Sequence, residues 1–106
     1  MKEYSLEEKE DLEAQYKEWN KNAQHAYKNF IRTASKDDED YKEDLKNFRE
    51  NARIFKMLDQ LIEEHPELKY WIMDYAGESE YGFEEQFYMS KEEILNDILE
   101  YKKWVE

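Results

Sequence analysis

The chain has 106 residues, of which 42% are charged and 16% aromatic, and its formal net charge is −12. This length supports one domain over 1–106 with one core, and the lack of cysteine excludes disulfides and zinc-thiolate sites. No signal peptide or apolar run of about 18 residues is visible, and an acidic surface repels nucleic acid and anionic lipids. We therefore expect a cytoplasmic protein that binds neither membranes nor nucleic acid directly.

Three serines mark predicted helix starts. Ser5, Ser35 and Ser90 each have an acidic residue three positions later, which is the pattern of a capping box. Pro66 disfavours helical backbone at His65, so the second helix is predicted to end there. The sequence thus predicts helices that begin after these three serines.

The first two predicted helices share an apolar repeat with steps of three and four residues. In the first helix the repeat consists of Leu12, Tyr16, Trp19, Ala23, Ala26 and Phe30, and in the second of Tyr41, Leu45, Phe48, Ala52 and Phe55. This spacing is typical of one helix packed along another. We predict an antiparallel helical hairpin over 1–65, roughly 40 Å long at 1.5 Å per residue.

The pattern changes after Pro66. Residues 68–76 place Tyr70 and Ile72 on one face of an extended chain and Trp71, Met73 and Tyr75 on the other, which predicts a strand. The only two glycines bracket a turn at 77–82, and alternation resumes at 83–89, so a β-hairpin is predicted. An apolar stripe after Ser90 predicts a third helix. The predicted fold class is α+β, in the order α-α-β-β-α, with the β-hairpin and last helix over 66–106.

Residues that carry chemistry are scarce. His25 and His65 are the only imidazoles, and we interpret both as structural or solvated. The acidic run 37–40 lacks the glycine and terminal glutamate of a calcium loop, and no phosphate loop or nucleophile signature is present. The sequence predicts a protein that is not an enzyme, with no catalytic residue, no metal ligand and no cofactor.

Acidic residues are concentrated in the second half of the chain. Residues 1–62 carry a net charge of −3 and residues 63–106 a net charge of −9, and between Asp74 and Glu100 nine acids face the single base Lys91. Such crowding costs stability through repulsion, which indicates an interaction surface, although a solvated face that keeps an aromatic protein soluble is the alternative. The predicted partner-binding residues are Asp74, Glu78, Glu80, Glu84, Glu85, Glu93, Asp97 and Glu100.

These carboxylates suggest a phosphate mimic. Alternate strand residues lie about 6.6 Å apart and helix residues at i and i+4 about 6 Å, which is comparable to the spacing of phosphates along a nucleic-acid strand. The expected partner is the basic groove of a nucleic-acid-binding protein. Trp71 or Tyr88 on the open face of the predicted hairpin is an alternative contact.

In small size, lack of cysteine, acidity and its Lys, Glu, Asn and Tyr usage, the chain resembles small phage-type inhibitors of host defence, the anti-CRISPR and anti-restriction proteins. The resemblance lies in composition and surface charge and includes no diagnostic motif. It implies an inhibitor that blocks a CRISPR nuclease such as Cas9, or a restriction enzyme, in the host cell, as a monomer or homodimer. The alternative is an interaction module of a phage or mobile element that acts through its helical hairpin, including as a dimer.

Overall fold

The computed structural model describes residues 3–78 and 83–106, and within these ranges all regular structure is helical. The helices are α1 (Leu6–Thr33), α2 (Tyr41–Glu64), α3 (Lys69–Gly77) and α4 (Lys91–Val105), with short 3₁₀ turns at Pro66–Leu68 and Glu84–Gln86. The molecule measures 52 × 26 × 23 Å along its principal axes. None of the described helices combines the length and apolarity needed to cross a lipid bilayer.

The predicted helical hairpin is confirmed. Along the seam, Phe30 of α1 lies 5.1 Å from Phe48 of α2 between ring centroids, and Tyr16 lies 5.8 Å from Phe55, so the two helices run antiparallel. The start of α1 is also confirmed, because the Ser5 hydroxyl accepts from the backbone N–H of Glu8, at 3.1 Å, and the Glu8 carboxylate accepts from Ser5. The seam is therefore filled within one chain.

The predicted start of α2 is wrong by several residues. The Ser35 hydroxyl accepts from the backbone N–H of Asp37 in a turn, and α2 begins only at Tyr41. In this connection Asp38 accepts from the backbone N–H of Asp40 at 3.1 Å, which is the kind of local bond that competes with helix formation. The end of α2 at Glu64, two residues before Pro66, agrees with the prediction.

The predicted β-hairpin, and with it the α+β class, is wrong: the described chain contains four α-helices and no strand. The segment predicted as the first strand, residues 68–76, forms the last residue of the first 3₁₀ turn and most of α3, in which Trp71, Ile72, Met73, Tyr75 and Ala76 are all buried. Most residues of this short helix are buried, so its apolar run lacks the clear periodicity of an amphipathic helix and resembles a strand. The second predicted strand is a 3₁₀ turn and loop, and residues 79–82 of the predicted turn lie outside the described residues.

The core lies where α2, α3 and α4 meet. Its fully enclosed side chains are Ile54, Leu58, Leu61, Ile72, Phe83, Ile94 and Ile98. Gly77 lets the end of α3 approach α1 closely, because a Cβ atom there would stand 2.9 Å from the Trp19 ring. The start of α4 after Ser90 is confirmed by a complete capping box with Glu93. The core thus holds α3, the 83–89 segment and α4 against the hairpin.

Candidate functional site

The predicted partner-binding acids gather around α3, the 83–89 segment and α4, although not on strands. Asp74 and Glu78 lie one turn apart at the end of α3, Glu84 and Glu85 lie in the second 3₁₀ turn, and α4 carries Glu93, Asp97 and Glu100. Glu80 lies outside the described residues. The evenly spaced strand row expected from the sequence is therefore replaced by carboxylates on two helices and a turn.

Two of these carboxylates are engaged by tyrosines. The hydroxyl of Tyr75 donates to Asp97 at 2.6 Å, and the hydroxyl of Tyr4 donates to Asp74 at 2.7 Å. Burial, followed by these hydrogen bonds, raises the pKa of both tyrosines far above the usual value. Asp74 and Asp97 are half-buried, so they contribute to packing as well as to charge.

The other predicted acids that the structure describes differ in whether their carboxylates are free to contact a partner. Glu93 closes the capping box of α4 by accepting from the backbone N–H of Ser90 at 3.1 Å. Of the predicted acids that the structure describes, Glu78, Glu84, Glu85 and Glu100 are exposed and take no part in a capping box, and we call these four the acidic surface. Within residues 3–78 and 83–106, none of the four forms an ion pair with a lysine or arginine. Glu78 lies beside the Tyr101 hydroxyl, whose pKa is raised by burial and then by the charges of Asp74 and Glu78, whereas the other three carboxylates face solvent.

An ion pair of α2, formed by buried Glu50 and half-buried Arg53, holds the segment that carries Glu84 and Glu85. Glu50, only 3% exposed, binds Arg53 through two hydrogen bonds of 2.8 Å. Its carboxylate also accepts from the backbone N–H of Tyr88 at 2.6 Å, while Arg53 donates to the carbonyl of Met89 at 3.0 Å. The hydrogen bonds from Arg53, opposed in part by burial, hold the pKa of Glu50 below its usual value.

Sequence reasoning missed this ion pair. Glu50 lies four residues before Ile54 and eight before Leu58, on the continuation of the apolar face that α2 turns to the core. An acidic residue on the apolar face of a helix, followed three positions later by an arginine, is a sequence pattern that predicts such an ion pair. The Phe83 N–H also donates to the Asn51 side chain at 3.0 Å, and no sequence pattern indicated this second hydrogen bond to α2.

The two aromatic residues predicted as alternative partner contacts, Trp71 and Tyr88, differ in exposure. Trp71 is buried at 6% exposure, between Tyr4 and Tyr101, so it offers little surface to a partner. Tyr88 is 67% exposed and has a φ of 69°, in the left-handed region that costs a tyrosine free energy. The Glu50 carboxylate secures this conformation through the Tyr88 N–H.

Metal-binding groups are dispersed in the described part of the chain, where no three His, Asp or Glu side chains are arranged to hold an ion. His25 is exposed on α1, and His65 Nδ1 lies 3.6 Å from the Glu67 carboxylate. Comparison with protein-family models, curated proteins and solved structures finds no match for this chain. Its function is therefore argued from geometry and charge.

Proposed function

We propose that the chain is a small non-catalytic inhibitor that binds the basic nucleic-acid groove of a host-defence effector, a CRISPR nuclease or restriction enzyme, and imitates phosphates there. The observation that carries the proposal is the acidic surface, four exposed carboxylates without a basic partner among the described residues. A groove lined by lysine and arginine supplies the charges that this surface lacks.

The way these carboxylates are held supports the proposal. Glu84 and Glu85 follow Phe83, which is 2% exposed, and the segment is tied to α2 at Phe83, Tyr88 and Met89. Glu100 projects from a regular helix. Because the backbone that carries these carboxylates is already ordered, association costs less conformational entropy than it would for a flexible acidic tail.

Long-range electrostatics support it as well. The half of the chain that carries the acidic surface has a net charge of −9. Such a field accelerates association with a basic groove at low ionic strength and loses strength over roughly 8–10 Å at physiological salt. Inhibition by competition with nucleic acid is therefore expected to weaken as salt rises.

The second candidate function is the interaction module. Ile31, which is 55% exposed on α1, favours a contact through the hairpin. Because the inner seam is filled within the chain, such a contact or dimer would use the outer faces of the hairpin. It would also leave the acidic surface free.

A competition assay distinguishes the two functions. A CRISPR nuclease loaded with guide RNA, and a restriction enzyme, are titrated with the protein while a fluorescent DNA target reports occupancy of the nucleic-acid groove. The test variant replaces Glu78, Glu84, Glu85 and Glu100 by Gln, and the control replaces the exposed residues Glu10, Glu18, Glu39 and Glu63 by Gln, which gives the same net charge.

Under phosphate mimicry, wild type displaces DNA, the test variant loses affinity about tenfold or more, and the control stays within about fivefold because it retains the local surface. Neutralising Lys21, Lys28 and Arg32 of α1 is expected to change affinity little. Equal affinity of wild type and test variant, or binding without displacement of nucleic acid, contradicts mimicry and favours the hairpin.

A further inference from the structure

A groove of about 580 Å³ runs between α1, α2 and α3, on a part of the molecule that the acidic surface does not include. Its rim carries Lys17 and Lys21 from α1, Lys56 from α2 and Lys69 from α3, and Tyr16 and Met73 line it further in. This volume is in the range of small-molecule sites in proteins. Four ammonium groups around one depression are unexpected in a chain with a net charge of −12.

The acids of the groove already have partners. Glu13 accepts from Lys69 at 3.0 Å and from the Tyr70 hydroxyl at 2.6 Å. Asp59 accepts from the Tyr16 hydroxyl at 2.6 Å and from the Asn20 amide at 2.9 Å. Both carboxylates are therefore fixed in the wall of the groove, and Lys69 is used by one of them.

The other three lysines have no direct ion-pair partner among the described residues, and Asp59, whose partners are neutral, offsets only one of their three charges. In the described part of the chain, Lys17, Lys21 and Lys56 form no ion pair or hydrogen bond, whereas Lys46 and Lys91 pair with glutamates elsewhere. Lys17 and Lys21 are four residues apart on α1, which places them about 6 Å apart on one face. Three like charges at one depression repel one another, and a multivalent anion would relieve this repulsion.

We propose that this groove binds a small phosphorylated ligand with at least two phosphoryl groups. Lysine is a point-charge binder of phosphate, and three ammonium groups match the charge of a diphosphate or triphosphate better than that of one carboxylate. Tyr16 and Met73 provide apolar contact for the organic part of the ligand. A compact ligand can place its phosphoryl groups beside the lysines and away from Glu13 and Asp59, whereas an extended nucleic-acid strand would have to pass these carboxylates. The proposal does not depend on the inhibitor function.

The test is titration calorimetry of the full chain at low ionic strength with inorganic tripolyphosphate, ATP and a short single-stranded oligothymidylate. The groove variant replaces Lys17, Lys21 and Lys56 by Gln. The matched control replaces Lys36, Lys42 and Lys103 by Gln, because these exposed lysines lie off the groove and their loss changes the net charge equally. Circular dichroism verifies folding, and the single variant Lys56→Gln serves if the triple variant does not fold.

We expect wild type to bind tripolyphosphate or ATP at concentrations below about 1 mM, the groove variant to lose affinity about tenfold or more, and the control to stay within about threefold. Tighter binding of ATP than of tripolyphosphate would show that the nucleoside contacts the groove, and equal binding that the phosphates suffice. Absence of binding to both ligands, equal losses in the two triple variants, or binding of the oligothymidylate alone would overturn the proposal.

Discussion

The backbone N–H of Tyr88 donates a 2.6 Å hydrogen bond to the carboxylate of Glu50, the one buried charged side chain among the described residues. This bond joins α2 to a residue 38 positions later, at the point where the chain takes a left-handed conformation. The 83–89 segment is thus positioned by a buried charged group of α2. The positions of Glu84 and Glu85 and of the exposed Tyr88 side chain depend on this link.

We expect Glu50→Gln to lower the free energy of unfolding by about 1.5–3 kcal/mol, because it removes the charge-assisted bonds to Arg53 and to the Tyr88 N–H. Urea denaturation measures the change. The control is Glu43→Gln, whose carboxylate forms an exposed pair with Lys46 at 3.2 Å, and a change within about 0.5 kcal/mol is expected there. Similar losses in both variants would show that the Glu50–Arg53 pair has no special role.

The same pair gives a dependence on acid pH. Because the pKa of Glu50 is lower in the folded chain than in the unfolded chain, its contribution is present above about pH 4.5 and is lost as pH falls through the folded value. Stability measured from pH 6 downwards should therefore fall less steeply in Glu50→Gln than in wild type. Parallel curves would contradict the lowered pKa.

At position 88 we expect glycine to be better tolerated than alanine. Tyr88→Gly should be more stable than Tyr88→Ala by about 0.5–1 kcal/mol, because only glycine adopts a φ of 69° without steric cost. The matched pair is Asn96→Gly and Asn96→Ala, at an exposed position inside α4, where alanine should be favoured by about 1 kcal/mol. Thermal melts of the four variants check the order, and the same order at both positions would rule out the left-handed conformation.

Removal of a capping hydroxyl should matter only where the structure shows a cap. Ser90→Ala is expected to cost about 1 kcal/mol, because the Ser90 hydroxyl accepts from the backbone N–H of Glu93 at 3.2 Å. Ser35→Ala should cost less than about 0.5 kcal/mol, because Ser35 lies in an exposed turn six residues before α2. Urea melts that rank the two serines in the opposite order would place the second helix start at Ser35.

Alkaline pH should destabilise the fold. Burial and a hydrogen bond to Asp59 raise the pKa of Tyr16 in the folded chain, so its contribution is complete below the unfolded value of about 10 and is lost as pH rises above it. Stability measured from pH 9 to 12 should therefore fall less steeply in Tyr16→Phe than in wild type. An equally steep fall in Tyr16→Phe and wild type would contradict the prediction.

Core substitutions should reveal where the packing is tightest. Leu58 is fully buried beside α3 and α4, and Leu58→Ala is expected to cost about 3–5 kcal/mol. Phe48 packs on Phe30 nearer the tip of the hairpin but is only half-buried, so Phe48→Ala should cost roughly half as much. Denaturant melts compare the two, and a larger loss at Phe48 would place the core in the hairpin.

Several elements were predictable because short-range interactions determine them. The capping boxes at Ser5 and Ser90 involve residues three positions apart, and Pro66 ends α2 through its own backbone. The seam of the hairpin was visible in the spacing of Tyr16 and Phe30, because two long helices repeat the same contact many times. The concentration of acid between 74 and 100 was equally a property of the sequence.

Long-range contacts decided the rest. The segment from Leu68 to Ala76 is a helix because α1, α2 and α4 bury it from several sides, and its apolar run alone cannot distinguish a buried helix from a strand. Tyr4 donates to Asp74 across 70 residues, and Tyr75 donates to Asp97 across 22. These hydrogen bonds from residues distant in sequence determine which acids are engaged in the fold and which remain exposed. Local propensity and spacing determined the hairpin and the helix caps, whereas burial by distant elements determined α3, the conformation of Tyr88 and the composition of the acidic surface.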